Sequence, residues 1–338
     1  MSSRACILGC AGLALTSEER VFFRDARPWG FILFGRNIET PDQVTRLVED
    51  LRACVDRPHA PVLIDQEGGR VQRLRPPHWP KYPPARVYGT LGPHRAREIT
   101  RLGARLMAHD LRSLGINVDC VPVLDVPAPG SHEVIGDRAY GETPDQVAIL
   151  GRAACEGLIA GGVLPVIKHI PGHGRGLSDS HHDLPVVEAT IEDLEARDFE
   201  PFRILSDMPM AMSAHVLYPA IDPDYPATTS RAVIETIVRD RIGFDGLLMS
   251  DDLSMKALGG SFADRTRASL EAGCDLVLHC NGEMAEMVGV VSAAGDLDGI
   301  SARRAKAALA RLPRQVEPLD IAAGQARFDE ALSGVWAS

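Results

Sequence analysis

The stretch "LPVIKHIPGHG", residues 164–174, decides how this chain folds. Its first half is short and apolar, too short for a free-standing helix, and is bounded by Pro and Gly. That form is a buried strand. The run ends on two polar residues, Lys168 and His169, after which Pro171 and the glycines turn the chain outward. Neighbours on a strand point to opposite faces, but the rule relaxes at the exit, so both side chains can face one pocket.

Seven other runs share this form. They are "ACILGCAGL" (5–13), "GFILFG" (30–35), "PVLID" (61–65), "NVDCVPVLDV" (117–126), "PMAMSAHVL" (209–217), "GLLMSDD" (246–252) and "CDLVLHC" (274–280). Helical patterning lies between most of them, as in "PDQVTRLVEDLRACV" (41–55), "AREITRLGARLMAHDLRSLG" (96–115), "PDQVAILGRAACEGLIAGG" (144–162) and "IEDLEARDFEPFRILSD" (191–207). Several of these open with a turn residue or Pro and carry acids in the first turn, as helix starts do. Short apolar strands alternating with helices predict a parallel sheet with helical crossovers.

Eight strands predict an α/β fold of the (β/α)8 TIM-barrel type. The rival is an open doubly wound sheet. No GxGxxG follows the first strand, as such a dinucleotide fold would carry. Polar residues also crowd nearly every strand exit: Arg36 and Asn37, Asp65, Asp125, Lys168 and His169, His215, Asp251 and Asp252, and Asn281. A barrel gathers those exits on one face, where barrel enzymes keep their sites. The barrel is expected over about 5–295. "ISARRAKAALARLPR" and "AGQARFDEALSG" are expected to form helices packed outside it, over about 300–334. One domain, 1–338, is the simplest organisation.

The chain has 338 residues and a net charge of −10, which argues against nucleic acid and anionic membranes as partners. Its seven cysteines, at 6, 10, 54, 120, 155, 274 and 280, are odd in number and mostly sit in apolar runs. They read as buried thiols in a reducing cytosol. The N-terminus "MSSRACILGCAGLALT" imitates a short signal peptide or lipoprotein site, but glycines break its apolar run and charged, helix-like sequence follows. A first core strand and a cytoplasmic protein are expected.

Four segments carry chemistry. "PVLIDQEGGRVQRL" (61–74) sets Asp65 at a strand exit with Glu67, Arg70 and Arg73 close behind, a combination that grips hydroxyls. "IGDRAYG" (135–141) adds Asp137 and Arg138, by themselves a solvated turn. "SDSHHDLP" (178–185) places Asp179 two residues from His181, so that the carboxylate can fix the imidazole tautomer for acid and base work near neutral pH. The competing readings are a polar surface loop or a zinc site drawn from His169, His173, His181, His182 and Asp183. "GLLMSDDLSM" (246–255) ends a strand on Asp251 and Asp252. One can face the barrel mouth as nucleophile or ligand while the other braces the loop or caps a helix. Together these describe carboxylate chemistry with hydroxyl recognition, the makings of a sugar site.

These residues resemble family 3 glycoside hydrolases. The resemblance rests on "FILFGRNI", "IDQEGGRVQRL", "IGDRAYG", "KHIPGHGRGLSDSHHDLP", "SAHVLYPAID" and "MSDDLSMKAL", and runs from about residue 8 to 285. Within the family the chain is most similar to the single-domain bacterial β-N-acetylhexosaminidases of peptidoglycan recycling. The resemblance implies that Asp251 is the nucleophile, and that His181 is the acid and base with Asp179 as its partner. It implies that Asp65, Arg73, Arg138, Lys168 and His169 hold an N-acetylglucosamine ring, with His215 in the pocket. It also implies a cytoplasmic enzyme that needs no metal or organic cofactor and is a monomer, with a dimer as the alternative. The substrate would be a muropeptide fragment carrying N-acetylglucosamine. The chain departs from the family's common form at "GRGLS" (174–178), where Arg175 stands in place of an acidic residue. Phosphorolysis, or a broader β-glycosidase activity, is the alternative within the family.

Overall fold

The computed structural model describes residues 2–336 apart from 177, 179, 181 and 182. Eight parallel strands close into a barrel in sequence order. They are β1 (Arg4–Leu8), β2 (Pro28–Leu33), β3 (Val62–Ile64), β4 (Val118–Asp119), β5 (Leu164–Ile170), β6 (Met210–Ser213), β7 (Leu247–Asp252) and β8 (Leu276–His279). β1 pairs with both β2 and β8, so no edge is left open. The expected (β/α)8 barrel is the observed fold.

Alternation along each strand sorts the core into two layers. Leu63, Leu164, Val166, Leu247, Met249, Leu276 and Leu278 pack together inside the barrel. Their neighbours Val62 and Ile64, and Ile167 and Leu248, pack outward under the helices. Strands buried on both faces must be apolar throughout, which is why the runs lack a polar stripe.

The helices start where their caps require. Thr40 and Thr143 accept hydrogen bonds from the backbone N–H groups of Gln43 and Gln146, just ahead of Pro41 and Pro144. The helices Pro41–Cys54, Pro93–Ser113 and Pro144–Ala160 lie where the pattern puts them. The segment 191–207 is less regular than expected. It consists of Ile191–Asp193, a π-type turn over Leu194–Asp198, and Glu200–Ile204. Pro201 has no N–H to donate to the preceding turn, and the helix is interrupted there.

Two further expectations change. The fourth strand is two residues long rather than ten, because Pro122 cannot donate to the ladder. The chain nevertheless stays beside β5. Leu124 N donates to Lys168 O at 2.7 Å and Lys168 N donates to Pro122 O at 3.0 Å, which delivers Asp125 to the C-terminal rim. The tail does not pack wholly outside. Ala305 and Ala308 of the helix Gly299–Leu309 join the interior cluster and close the barrel floor. The last helix, Ile321–Leu332, does pack outside, where Phe328 sits so close to Gly103 that a Cβ there would lie 2.6 Å from its ring.

A buried carboxylate locks the floor. Asp275 accepts from Arg239 Nη2 at 2.9 Å, Arg304 Nη1 at 3.2 Å, Ser301 Oγ at 2.7 Å and Leu248 N at 2.9 Å. Among the described residues no helix is long and apolar enough to cross a membrane. Asp275→Ala would take the buried carboxylate from two partly buried guanidiniums, leaving Arg304 to Asp245 and Arg239 to the carbonyls of Phe244 and Gly246. It is expected to lower the unfolding free energy by about 3 kcal/mol, seen as a lower urea midpoint. A loss below about 1 kcal/mol would mean that apolar contacts alone hold the floor.

Candidate active site

The inward alternation continues past the apolar layers. Asp65 follows Leu63 by two residues and Lys168 follows Val166, so both side chains emerge toward the barrel axis, and Asp251 joins them across a break in register between Met249 and Asp252. They border a cavity of about 260 Å³ at the C-terminal mouth, with Glu67, Arg73, Arg138, His169 and His173. Phe34, Ile135, Met212 and Met255 supply its apolar wall. His169 should point away by alternation, but the pairing of β5 with β6 breaks register between Lys168 and Ile170. The irregularity re-aims the imidazole into the cavity.

Two carboxylates and three cations form one network on one side. Lys168, only 2% exposed, places its Nζ 2.9 Å from Asp65 Oδ1 and 2.7 Å from Glu67 Oε1. Arg138 binds Glu67 through two bonds of 2.8 Å, and Arg73 reaches Asp65 Oδ2 at 3.2 Å. Burial pushes the Asp65 carboxyl up, but Lys168 and Arg73 outweigh it and leave it well below the usual carboxylate range. Glu67 is likewise held down to about 2 by Arg138 and Lys168 against the same burial cost. Lys168 is desolvated but held above its ordinary value by the two carboxylates. The network is ionised at neutral pH and presents both acceptors and donors to a polyol.

On the other side the two aspartates of β7 divide their work. Asp252 Oδ1 accepts from Ser254 N and Cys280 N, and its Oδ2 accepts from Ser254 Oγ at 2.5 Å. It braces the strand end. Asp251 accepts only from Asp252 N, at 2.8 Å, among the described residues. Loss of water raises its pKa, but His169, His215, that backbone N–H and Lys168 offset this and leave it below its ordinary value. Among the described residues it is an anionic carboxylate without a side-chain partner, open to the cavity.

His215 is corrected. It was expected among the pocket residues, yet it is fully buried. Its Nδ1 lies 2.7 Å from Thr228 Oγ1 and its Nε2 donates to Asp252 O at 3.0 Å. Burial holds it below its ordinary pKa despite Asp251. Both nitrogens are used, so it supports the end of β7 from below rather than meeting a ligand. Asp179 and His181 lie outside the described residues, as does His182. Arg175 donates from Nε to the buried Asp198 at 2.6 Å and anchors the start of the loop. Among the described residues no three His, Cys, Asp or Glu side chains converge as metal ligands.

Two residues named in the sequence lay outside the expected sugar-binding set. Glu67 sits in a turn in which Gly68 has φ +95°, and a Cβ there would lie 2.2 Å from Pro83 O. This turn folds the carboxylate back beside Lys168. The two glycines after Glu67 were the available signal. Asp125 accepts from His169 Nδ1 at 2.7 Å and from His173 N at 2.6 Å. Its place at a strand exit marked it as polar, but nothing in the sequence linked it to residues more than forty positions away.

Comparison with known proteins agrees with this architecture. The model of the glycosyl hydrolase family 3 N terminal domain matches residues 12–314. A β-hexosaminidase from Thiobacillus denitrificans is 39% identical over 341 residues, covering 97% of this chain and 92% of that protein. NagZ from Neisseria gonorrhoeae, solved in complex with zinc ion, superposes with a TM-score of 0.87 at 31% identity, covering 98% of this chain and 99% of that one. Another structure of the same NagZ, in complex with N-trifluoroacetyl-D-glucosamine, gives 0.81 at 32% identity over the same shares. With a carboxylate-lined barrel mouth and relatives matched over nearly their whole length, the chain belongs to glycosyl hydrolase family 3 and is a glycoside hydrolase.

Proposed function

We propose that the protein is a retaining exo-β-N-acetylglucosaminidase. It removes terminal, non-reducing N-acetylglucosamine from muropeptide fragments of the cell wall. It works in the cytoplasm as a monomeric single-domain enzyme. The observation that carries the reaction type is Asp251, a carboxylate held anionic, with no side-chain partner among the described residues, opposite a hydroxyl-binding network. A retaining glycosidase needs such a nucleophile. The size of the cavity supports exo action: about 260 Å³ lies below the roughly 300–1,000 Å³ of typical ligand sites and suits one ring better than several.

In this reading Asp65, Arg73, Arg138, Lys168 and His169 hold the sugar ring by its hydroxyls. Asp251 attacks the anomeric carbon while His181, as imidazolium, protonates the departing oxygen. The bond to the aglycone breaks and a glycosyl ester forms on Asp251. His181, now neutral and oriented by Asp179, takes a proton from water. That water displaces Asp251 and releases the sugar with retained configuration. The roles of Asp179 and His181 rest on the "SDSHHDLP" motif. Related structures support the sugar: one is a family 3 β-N-acetylglucosaminidase from a Paenibacillus strain, at 31% identity. Preference for muropeptides over chitin fragments rests on resemblance to the recycling enzymes.

The first test is release of a chromogenic phenol from an aryl β-N-acetylglucosaminide in excess chelator. Turnover supports a metal-free glycosidase. Activity only on adding zinc would overturn that, and phosphate-dependent formation of a sugar 1-phosphate would mean phosphorolysis. Asp251→Asn should lose roughly 10³-fold or more in kcat while still binding the sugar, since it removes a group needed only after binding. An active variant would sink the nucleophile assignment. His181→Ala should slow substrates with poor leaving groups by about 10²-fold or more and activated aryl substrates far less. Equal losses on both would make His181 structural.

A further inference from the structure

Among the described residues Asp125 touches neither the network around Lys168 nor the nucleophile, yet it is fully buried behind His169 and His173, which line the cavity. Its two oxygens face two different elements. Oδ2 accepts from His169 Nδ1 at 2.7 Å. Oδ1 accepts from His173 N at 2.6 Å and from His169 N at 3.3 Å. His169 belongs to β5 and lines the cavity, whereas His173 begins the loop that runs on to the "SDSHHDLP" motif.

We infer that Asp125 is a positioning residue that couples the sugar-binding imidazole of His169 to the root of the catalytic loop. This rests on the reaction proposed above. With its Nδ1 proton given to Asp125, His169 has only Nε2 left for a sugar hydroxyl, in a fixed ring orientation. The other oxygen pins His173, and the seam continues from there. Ala128 N donates to Gly174 O at 3.0 Å, His132 N donates to Gly176 O at 2.9 Å, and Tyr218 Oη donates to Gly172 O. The packing leaves no slack, since a Cβ at Gly174 would lie 2.1 Å from Val126 O. Residues 125–132 and 172–176 therefore form one joint, and Asp125 is its only side-chain carboxylate bonded to both β5 and the loop among the described residues.

The shape of the carboxylate matters because both oxygens accept. In Asp125→Asn one of the two positions becomes an N–H donor. If it faces His169, the ring must take the opposite tautomer and turn a donor toward the cavity. If it faces His173, two N–H groups oppose each other and the loop root loses its bond. Either way, one of the two ties is lost at nearly constant volume.

The test compares wild type, Asp125→Asn, His169→Gln and the double variant on an activated aryl β-N-acetylglucosaminide and on one with a poor leaving group. Asp125→Asn should raise KM on the order of 10- to 100-fold, the equivalent of losing one charge-assisted hydrogen bond. Its further loss in kcat should be larger on the poor leaving group, which depends on the loop. In the double variant the KM effects should be far from multiplicative, because Asp125 acts on the sugar through His169. A second readout needs no substrate. Nitrogen-15 NMR of wild type should show a low-field Nδ1–H proton that is absent in His169→Gln and loses its low-field shift in Asp125→Ala, which removes both acceptor oxygens. Wild-type KM together with wild-type kcat in Asp125→Asn, multiplicative KM effects, or retention of the low-field resonance in Asp125→Ala would overturn the proposal. A wild-type protein that releases no aglycone would overturn the proposed reaction instead, and the resonance would still report on the pairing of Asp125 with His169.

Discussion

An ammonium group buried to 2% exposure must be paired, and Lys168 is paired twice. Leaving it alone in the barrel mouth would carry a desolvation cost of several kcal/mol. Asp65 and Glu67 remove that cost, and in doing so they draw the exit of β3 and its glycine turn against the exit of β5. Arg138 and Arg73 then balance the two carboxylates. The loop around Arg138 is held in turn by Arg70, which donates to Glu133 O, Val134 O and Asp137. One cation thus organises a wall built from three separated segments. A network that satisfies itself when empty is also pre-organised for a polyol, because its donors and acceptors are already aimed and ionised.

The opposite wall obeys a different rule. Among the described residues, Asp251 is held charged by its surroundings rather than by a salt bridge. His215 lies below, His169 stands across the cavity, and the N–H of Asp252 is close by. A direct arginine partner would stabilise the carboxylate but blunt it as a nucleophile. Asp252, the next residue along the strand and opposite in direction, takes the structural load by tying β7 to β8 and Ser254.

The barrel itself was legible because it is a local property repeated eight times. Each apolar run is short, most are bounded by Pro or Gly, and nearly every exit carries a polar residue. The alternation inside those runs also indicated which exit residues point inward. It applies directly to Asp65 and Lys168, whereas Asp251 reaches the cavity across a break in register between Met249 and Asp252. It fails at His169, where a break in register overrides it. It also overstated β4, because it reads side chains and not the missing N–H of Pro122. His215 misled for a related reason: a polar residue at a strand exit can be spent entirely on its own scaffold.

The sequence by itself determined the fold class, the face on which the site lies, and the chemical types gathered there, since these follow from short-range patterns of hydrophobicity, turn residues and alternation. Only the tertiary structure decided the partnerships. Glu67 beside Lys168, Asp125 beneath His169, the helix Gly299–Leu309 plugging the floor, and the withdrawal of His215 all join residues far apart along the chain. Hydrogen bonds and ion pairs act over about 3 Å in space, and no local pattern records which distant strand ends the closed barrel will bring within that reach.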